Sequence, residues 1–107
     1  REKMKYTTHN QDRIDVNGTH LQGYVDVTFD RLCQLFGAPT WGDEYKIDWE
    51  WIVQFEDGTV ATVYNWKNGP AYCGARGMMA HMIKEWHVGG HTREALNHVT
   101  AAIGGES

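Results

Sequence analysis

Residues 49–66 read WEWIVQFEDGTVATVYNW, and the way they pair decides the fold. The stretch carries three of the five Trp, with one Tyr and one Phe, around Asp57-Gly58. On both sides of that pair, β-branched and aromatic residues alternate with smaller or polar ones, the period of a strand. Asp-Gly between two such runs is the strongest short hairpin signal, because a type I′ turn needs positive φ at both central residues. With Asp57 and Gly58 as the two loop residues, Glu56 faces Thr59. Counting outward then pairs Phe55 with Val60, Val53 with Thr62, Trp51 with Tyr64 and Trp49 with Trp66 on one face. The second face pairs Gln54 with Ala61, Ile52 with Val63, Glu50 with Asn65 and Asp48 with Lys67. The first face is nearly all apolar and is expected to pack under helices.

Outward from the hairpin, punctuation residues divide the chain. Thr28 is an N-cap, with Phe29, Leu32, Cys33 and Phe36 as one helical stripe behind it. Gly37 and Pro39 stop that helix. LQGYVDV, residues 21–27, alternates like a strand, and Asn17-Gly18 predicts a hairpin of Arg13–Val16 with Thr19–Val27. MMAHMIKEWHV, residues 78–88, fits either a helical stripe or an extended exit around Trp86-His87-Val88. A last helix starts at His91 or Thr92 and buries Ala95, Leu96, Val99 and Ile103. Residues 1–12 are polar without periodicity and read as a flexible arm able to gain a short strand; 13–107 form the domain. The expectation is a single small α+β domain: a mostly antiparallel sheet built on the hairpin, with two or three helices on one face.

Composition narrows the function. At 107 residues the chain suits one domain, and 41% hydrophobic residues suffice for a core. The formal net charge of −4, with no run of Lys or Arg, argues against a duplex nucleic-acid binder. Cys33 and Cys73 make no disulfide framework. No long apolar run points to a membrane. Cytoplasm is the expected compartment.

Catalytic and metal patterns are weak. His87 and His91 are four apart, but Gly89-Gly90 between them breaks a shared helical turn. Glu85 with His87, Asp48 with Glu50, or Cys73 with His87 would be acid–base or nucleophile–base pairs, yet no spacing supports them. No nucleophile elbow or phosphate-loop glycine pattern is present. The expectation is therefore no catalytic residue, no metal and no cofactor. Gly89-Gly90-His91-Thr92, ahead of a helix, offers backbone N–H groups to an anion, but reads first as a flexible capping turn.

The aromatic residues say more. Trp and Tyr combine large apolar area with a polar handle, which suits binding sites. Trp41, Tyr45, Tyr64, Trp66, Tyr72 and Trp86 come from segments at the open end of the hairpin, with Lys67, Arg76, His87, His91 and Arg93 bordering them. Rings for stacking beside cations for phosphate suit a nucleotide-like ligand, with Trp66, Trp86, Tyr72, His87 and Arg93 as its lining. For Trp41, Trp66 and Trp86, core and site both remain open. A protein-docking surface would use Trp41 with the acidic Asp43, Glu44, Asp48 and Glu50.

The pieces GYVDV, LFGAP, EDGTVATVYNWK and EWHVGG resemble a group of small proteins encoded by tailed bacteriophages, over about Gly23 to Val99. The resemblance carries over no catalytic residues. It implies a phage origin, the host bacterial cytoplasm and a small accessory role in countering host defence. That role would be played by docking on a defence protein such as a CRISPR effector, or by sequestering a cyclic or linear nucleotide signal. The alternatives are a phage nuclease or nucleotide hydrolase using His and acidic residues, and a structural or host-takeover protein. Surplus apolar rings also suggest a homodimer or higher oligomer.

Overall fold

The hairpin turns on three residues, not two. In the computed structural model, which describes residues 4–43 and 45–104, Phe55 N–H donates to Thr59 O at 2.8 Å and Gly58 N–H to Phe55 O at 2.8 Å. Gly58 takes the left-handed conformation (φ 92°) that closes such a loop. The register is therefore Trp51 with Val63, Val53 with Ala61 and Glu50 with Tyr64. This corrects the two-residue count by one position, and a slip of one sends every partner side chain to the other face. Ala61 and Val63 join the core with Trp51, Val53 and Phe55, whereas Tyr64 leaves it.

The hairpin strands are β4 (Trp49–Phe55) and β5 (Val60–Tyr64), within a chain that also forms β1 (Tyr6–Thr8), β2 (His20–Asp26), α1 (Phe29–Phe36), β3 (Thr40–Trp41), α2 (Pro70–Cys73), β6 (Glu85–Gly90) and α3 (Glu94–Gly104). Short 3-10 turns occupy Gly74–Arg76 and Ala80–Met82. All pairings are antiparallel, in the order β1-β4-β5-β6-β2, with β3 sharing the outer edge of β4 beside β1. The α+β class expected from the sequence is the one observed.

Helix α1 starts where the Thr28 hydroxyl accepts from Arg31 N–H at 3.1 Å, and stops at Gly37 (φ 84°). Its last carbonyls are satisfied from outside the helix. Tyr6 Oη donates to Leu35 O at 2.7 Å, Asn10 Nδ2 to Phe36 O at 3.2 Å, and Trp51 Nε1 to Gly37 O at 2.8 Å. These bonds hold the short strand that the N-terminal arm was expected to be able to gain: Tyr6–Thr8 lie on β4, and Tyr6 and Asn10 cap α1. His9 fills the gap between β1 and β3, where its N–H donates to Ile52 O at 2.9 Å and its Nδ1 accepts from Ile52 N–H at 3.3 Å.

The expected hairpin of Arg13–Val16 with Thr19–Val27 is absent. Asn17-Gly18 does turn the chain, but β2 pairs with β6 instead, with a bulge between Leu21 and Gly23. Val88 and Trp86 then fall on the core face, and residues 85–90 are strand. The core packs Trp51 edge-on to Trp86 at 5.4 Å, with Phe29 from α1 5.6 Å from Trp51. Helices α1 and α3 cover this face only, through Leu32, Phe36, Ala95 and Val99.

His98 fastens α3 to the hairpin turn. Its Nε2 lies 2.8 Å from the Asp57 carboxylate, and its ring meets Phe55 edge-on at 5.0 Å. The hydrogen bond with His98, helped by Thr59, lowers the Asp57 carboxyl to about 2. A depressed carboxyl stabilises the fold above its ordinary value and loses that contribution as pH falls through the folded one. Urea unfolding of Asp57→Asn should therefore show a shallower loss of stability than the parent between about pH 4 and pH 2. Gly58→Ala should cost about 1–2 kcal/mol in the same assay purely through left-handed strain, since a Cβ there meets nothing within 4 Å.

Candidate functional site

One buried amide organises the open end of the hairpin. Asn65 is fully buried just after β5. Its Oδ1 accepts from the N–H groups of Asp48 (2.8 Å) and Trp49 (3.0 Å). Its Nδ2 donates to Asp48 Oδ1 (2.9 Å) and Asn68 Oδ1 (3.0 Å). Asp48 Oδ2 in turn accepts from Ala71 N–H at 2.9 Å and so holds the first turn of α2. Gly69 lets that turn approach, because a Cβ there would collide with the Asp48 carboxylate and the Asn65 amide.

This network holds three exposed rings together. Tyr45, Trp66 and Tyr72 are 57%, 38% and 43% exposed. Lys46 Nζ lies 5.6 Å from the ring centres of both Tyr45 and Trp66. Lys67 Nζ lies 5.8 Å from Trp66 and 5.5 Å from Tyr72. Each ammonium thus touches two rings within cation–π range. Lys67 is the non-glycine residue with positive φ among the described residues (58°), held by Lys67 N–H on Lys46 O at 2.7 Å and Cys73 Sγ on Lys67 O at 3.3 Å.

Trp66 leads onto the helix-free face of the sheet. There Glu50, Tyr64, His87 and Tyr24 stand in one cross-strand row over β4, β5, β6 and β2. Ring contacts run along it: Trp66 to Tyr64 at 6.3 Å, Tyr64 to His87 at 5.5 Å, and His87 to Tyr24 at 4.8 Å. Gly89, two residues beyond His87 in sequence, leaves room for Thr62, since a Cβ there would come 2.6 Å from the Thr62 hydroxyl. Burial, reinforced by the Asp43 charge, raises the Glu50 carboxyl to about 6. Burial and the nearby Glu50 and Tyr24 raise the Tyr64 phenol, and burial lowers His87 despite Glu85. Among the described residues, no group hydrogen-bonds the Glu50 carboxylate, and the buried His87 Nδ1 also has no partner.

The residues expected to line a ligand site are only partly brought together. Trp66 and Tyr72 share the exposed patch, and His87 joins it through Tyr64. Trp86 does not: it is fully buried against Trp51, because even positions of β6 face the helices. Arg93 lies beyond Gly90, which pairs with Ala61 near the hairpin turn, at the opposite end of β5 from Trp66. Of the docking residues, Trp41 is 72% exposed and stands on the edge strand β3. Asp43 accepts from Tyr45, Lys46 and Ile47 N–H groups, which lower its carboxyl, so it shapes the loop. Asp48 is committed to the Asn65 network, Glu50 faces Tyr64, and Glu44 lies outside the described residues.

Lys46 and Tyr24 were not singled out by the sequence. Lys46 had a signal, since it adjoins Tyr45 and stands just before β4. Tyr24 had none, because its neighbour His87 is far away along the chain. Shallow depressions of about 320 Å³ at Lys5–Thr7 and Gln54–Gly58, and about 520 Å³ at Arg13–Asn17, lie away from this strip. The candidate site presents Tyr24, Tyr45, Trp66 and Tyr72 to solvent. Among the described residues no three His, Cys, Asp or Glu gather as a metal-ligand set, and no helix is long and apolar enough to cross a membrane. No family model, curated protein or solved structure matches this chain.

A carboxyl raised by burial stabilises the fold below its ordinary value and ceases to as pH rises through the folded one, so ionised Glu50 destabilises the protein at neutral pH. Glu50→Gln should raise stability by on the order of 1 kcal/mol at pH 8, after allowance for solvent screening, with the gain vanishing near pH 4. Asn65→Ala should cost on the order of 3 kcal/mol in urea unfolding, because buried N–H groups of Asp48 and Trp49 lose their acceptor.

Proposed function

We propose that this chain is a non-enzymatic accessory protein of tailed-phage type that inhibits a bacterial antiviral defence by sequestering a nucleotide signal in the host cytoplasm. The observation that carries this reading is the patch of Tyr45, Trp66 and Tyr72, in which two lysine ammoniums each sit over two exposed rings. Rings accept the faces of bases and ammoniums accept phosphate, the two chemistries that a nucleotide presents together. Exposed apolar rings cost solubility, and a left-handed lysine costs about 1–2 kcal/mol. Such costs gather at sites where the strained group has work to do. With a net charge of −4, the molecule suits a small ligand held locally better than a duplex.

Docking on a defence protein is the second mode of the same proposal, favoured by Trp41, which is 72% exposed on β3. Assembly into a homodimer or larger oligomer also belongs to it: β2 ends the sheet, and no described strand pairs its outer edge, where Leu21 and Tyr24 are exposed. The rival is a nucleotide hydrolase using Glu50 and His87, residues with shifted pKa values on one row.

Isothermal titration with nucleoside monophosphates and cyclic dinucleotides tests the reading. Saturable one-to-one binding per site is expected, with ligand recovered unchanged after heat denaturation; turnover would make the protein an enzyme. Trp66→Ala should weaken binding about tenfold or more, as loss of one stacking ring does. Lys67→Gly should bind more weakly while folding at least as stably, since glycine relieves the left-handed strain. Absence of nucleotide binding by the parent protein would sink the sequestration mode.

A further inference from the structure

The strip of rings says which face of a base is held, but stacking alone does not choose between bases. A choice requires a polar group at the edge of the strip with free hydrogen-bonding capacity. Glu50 is that group. It stands beside Tyr64 in the cross-strand row, and Tyr64 meets Trp66 at 6.3 Å. Its carboxylate is half-buried on the helix-free face and has no hydrogen-bond donor among the described residues. A carboxylate taken partly out of water without a donor is costly to keep, and an incoming pair of N–H groups satisfies it.

We propose that Glu50 reads the base of the bound nucleotide and selects guanine. The inference rests on the nucleotide-binding reading of the Trp66 patch. A carboxylate offers two adjacent acceptors and no donor. Guanine alone among the common bases presents two adjacent donors on its pairing edge, the ring N1–H and the exocyclic N2 amine. Adenine and cytosine each place a ring nitrogen lone pair beside their amine, which a carboxylate repels. Uracil places its single N–H between two carbonyl oxygens, which it repels as well. Lys46 and Lys67, whose ammoniums lie 5.6 Å and 5.8 Å from the Trp66 ring centre, then take the phosphate end.

Titration of the parent protein at pH 8 with GMP, IMP, AMP, CMP and UMP tests this. GMP should bind at least about tenfold more tightly than AMP, CMP or UMP, within what one bidentate pair supplies. IMP, which keeps N1–H and lacks the amine, should fall between. Glu50→Gln, which keeps the shape of the side chain but removes its charge and adds a donor, should abolish the preference, with GMP binding weakened about tenfold and AMP binding no weaker than in the parent. Nucleotide binding without a guanine preference, or a preference that survives in Glu50→Gln, would overturn the assignment and leave the Trp66 patch standing. If no nucleotide binds the parent protein at all, the patch reading fails and the Glu50 assignment with it.

Discussion

The arrangement of this molecule's open end depends on one buried amide. Asn65 spends both donors and its acceptor on Asp48, Trp49 and Asn68. A buried amide left unpaired is expensive, so its partners are held in one geometry. Through Asp48 the same network reaches Ala71 and the start of α2. Three segments distant in sequence are thereby locked: the entry to β4, the exit of β5, and the loop that carries Tyr72. Trp66 and Lys67 follow Asn65 directly, and Lys46 lies two residues before Asp48. The amide therefore sets where the exposed rings and their ammoniums stand.

A second constraint divides the sheet into a covered and an uncovered face. Gly58 adds a third residue to the turn, and that extra residue decides which side chains of β5 meet the helices. Val63 and Ala61 go under α1 and α3, and Tyr64 turns outward to stand between Glu50 and His87. On the covered face Trp51 and Trp86 pack edge to face, with the buried Trp86 Nε1 left without a hydrogen-bond partner among the described residues. The uncovered face leaves more unsatisfied. It keeps a carboxylate raised to about 6, an unpartnered imidazole nitrogen and a ladder of rings. Consistency between local choices and global packing is the usual mark of a natural fold, and the places where it fails are candidates for function.

Much of this was legible in the sequence, and the parts that were not share a cause. Local signals act where they stand in the sequence: Thr28 caps α1, Gly37 ends it, Asp57-Gly58 turns the hairpin, and the stripe of Ala95 and Val99 is buried. The register differs by one because Asp-Gly serves both two-residue and three-residue loops, and the difference lies in φ at Asp57, which is not positive here, rather than in composition. The periodicity around Trp86 fits helix and strand alike and leaves core and site both open for it, and only pairing with β5 and β2 assigns its face. Residues 6–10 look featureless because their order comes from carbonyls of α1 far along the chain. Long-range pairing, not propensity, made each of these decisions.

The exposure of Tyr24, Tyr45, Trp66 and Tyr72 along the ring strip has a consequence for selectivity. A pocket discriminates by shape on every side of a ligand, whereas an open strip touches one face and whatever edge groups border it. Stacking on Tyr64 and Trp66 is tolerant of base identity, and an ammonium treats every phosphate alike. Whatever specificity such a surface has must come from the few polar groups at its margin. Tyr64 and His87 lie within the row of rings, and Asp43 is occupied by the N–H groups of its own loop. Glu50 is left as the marginal group with both acceptors free of described partners, and the energetic penalty of keeping it half-buried is what its role in selection would require.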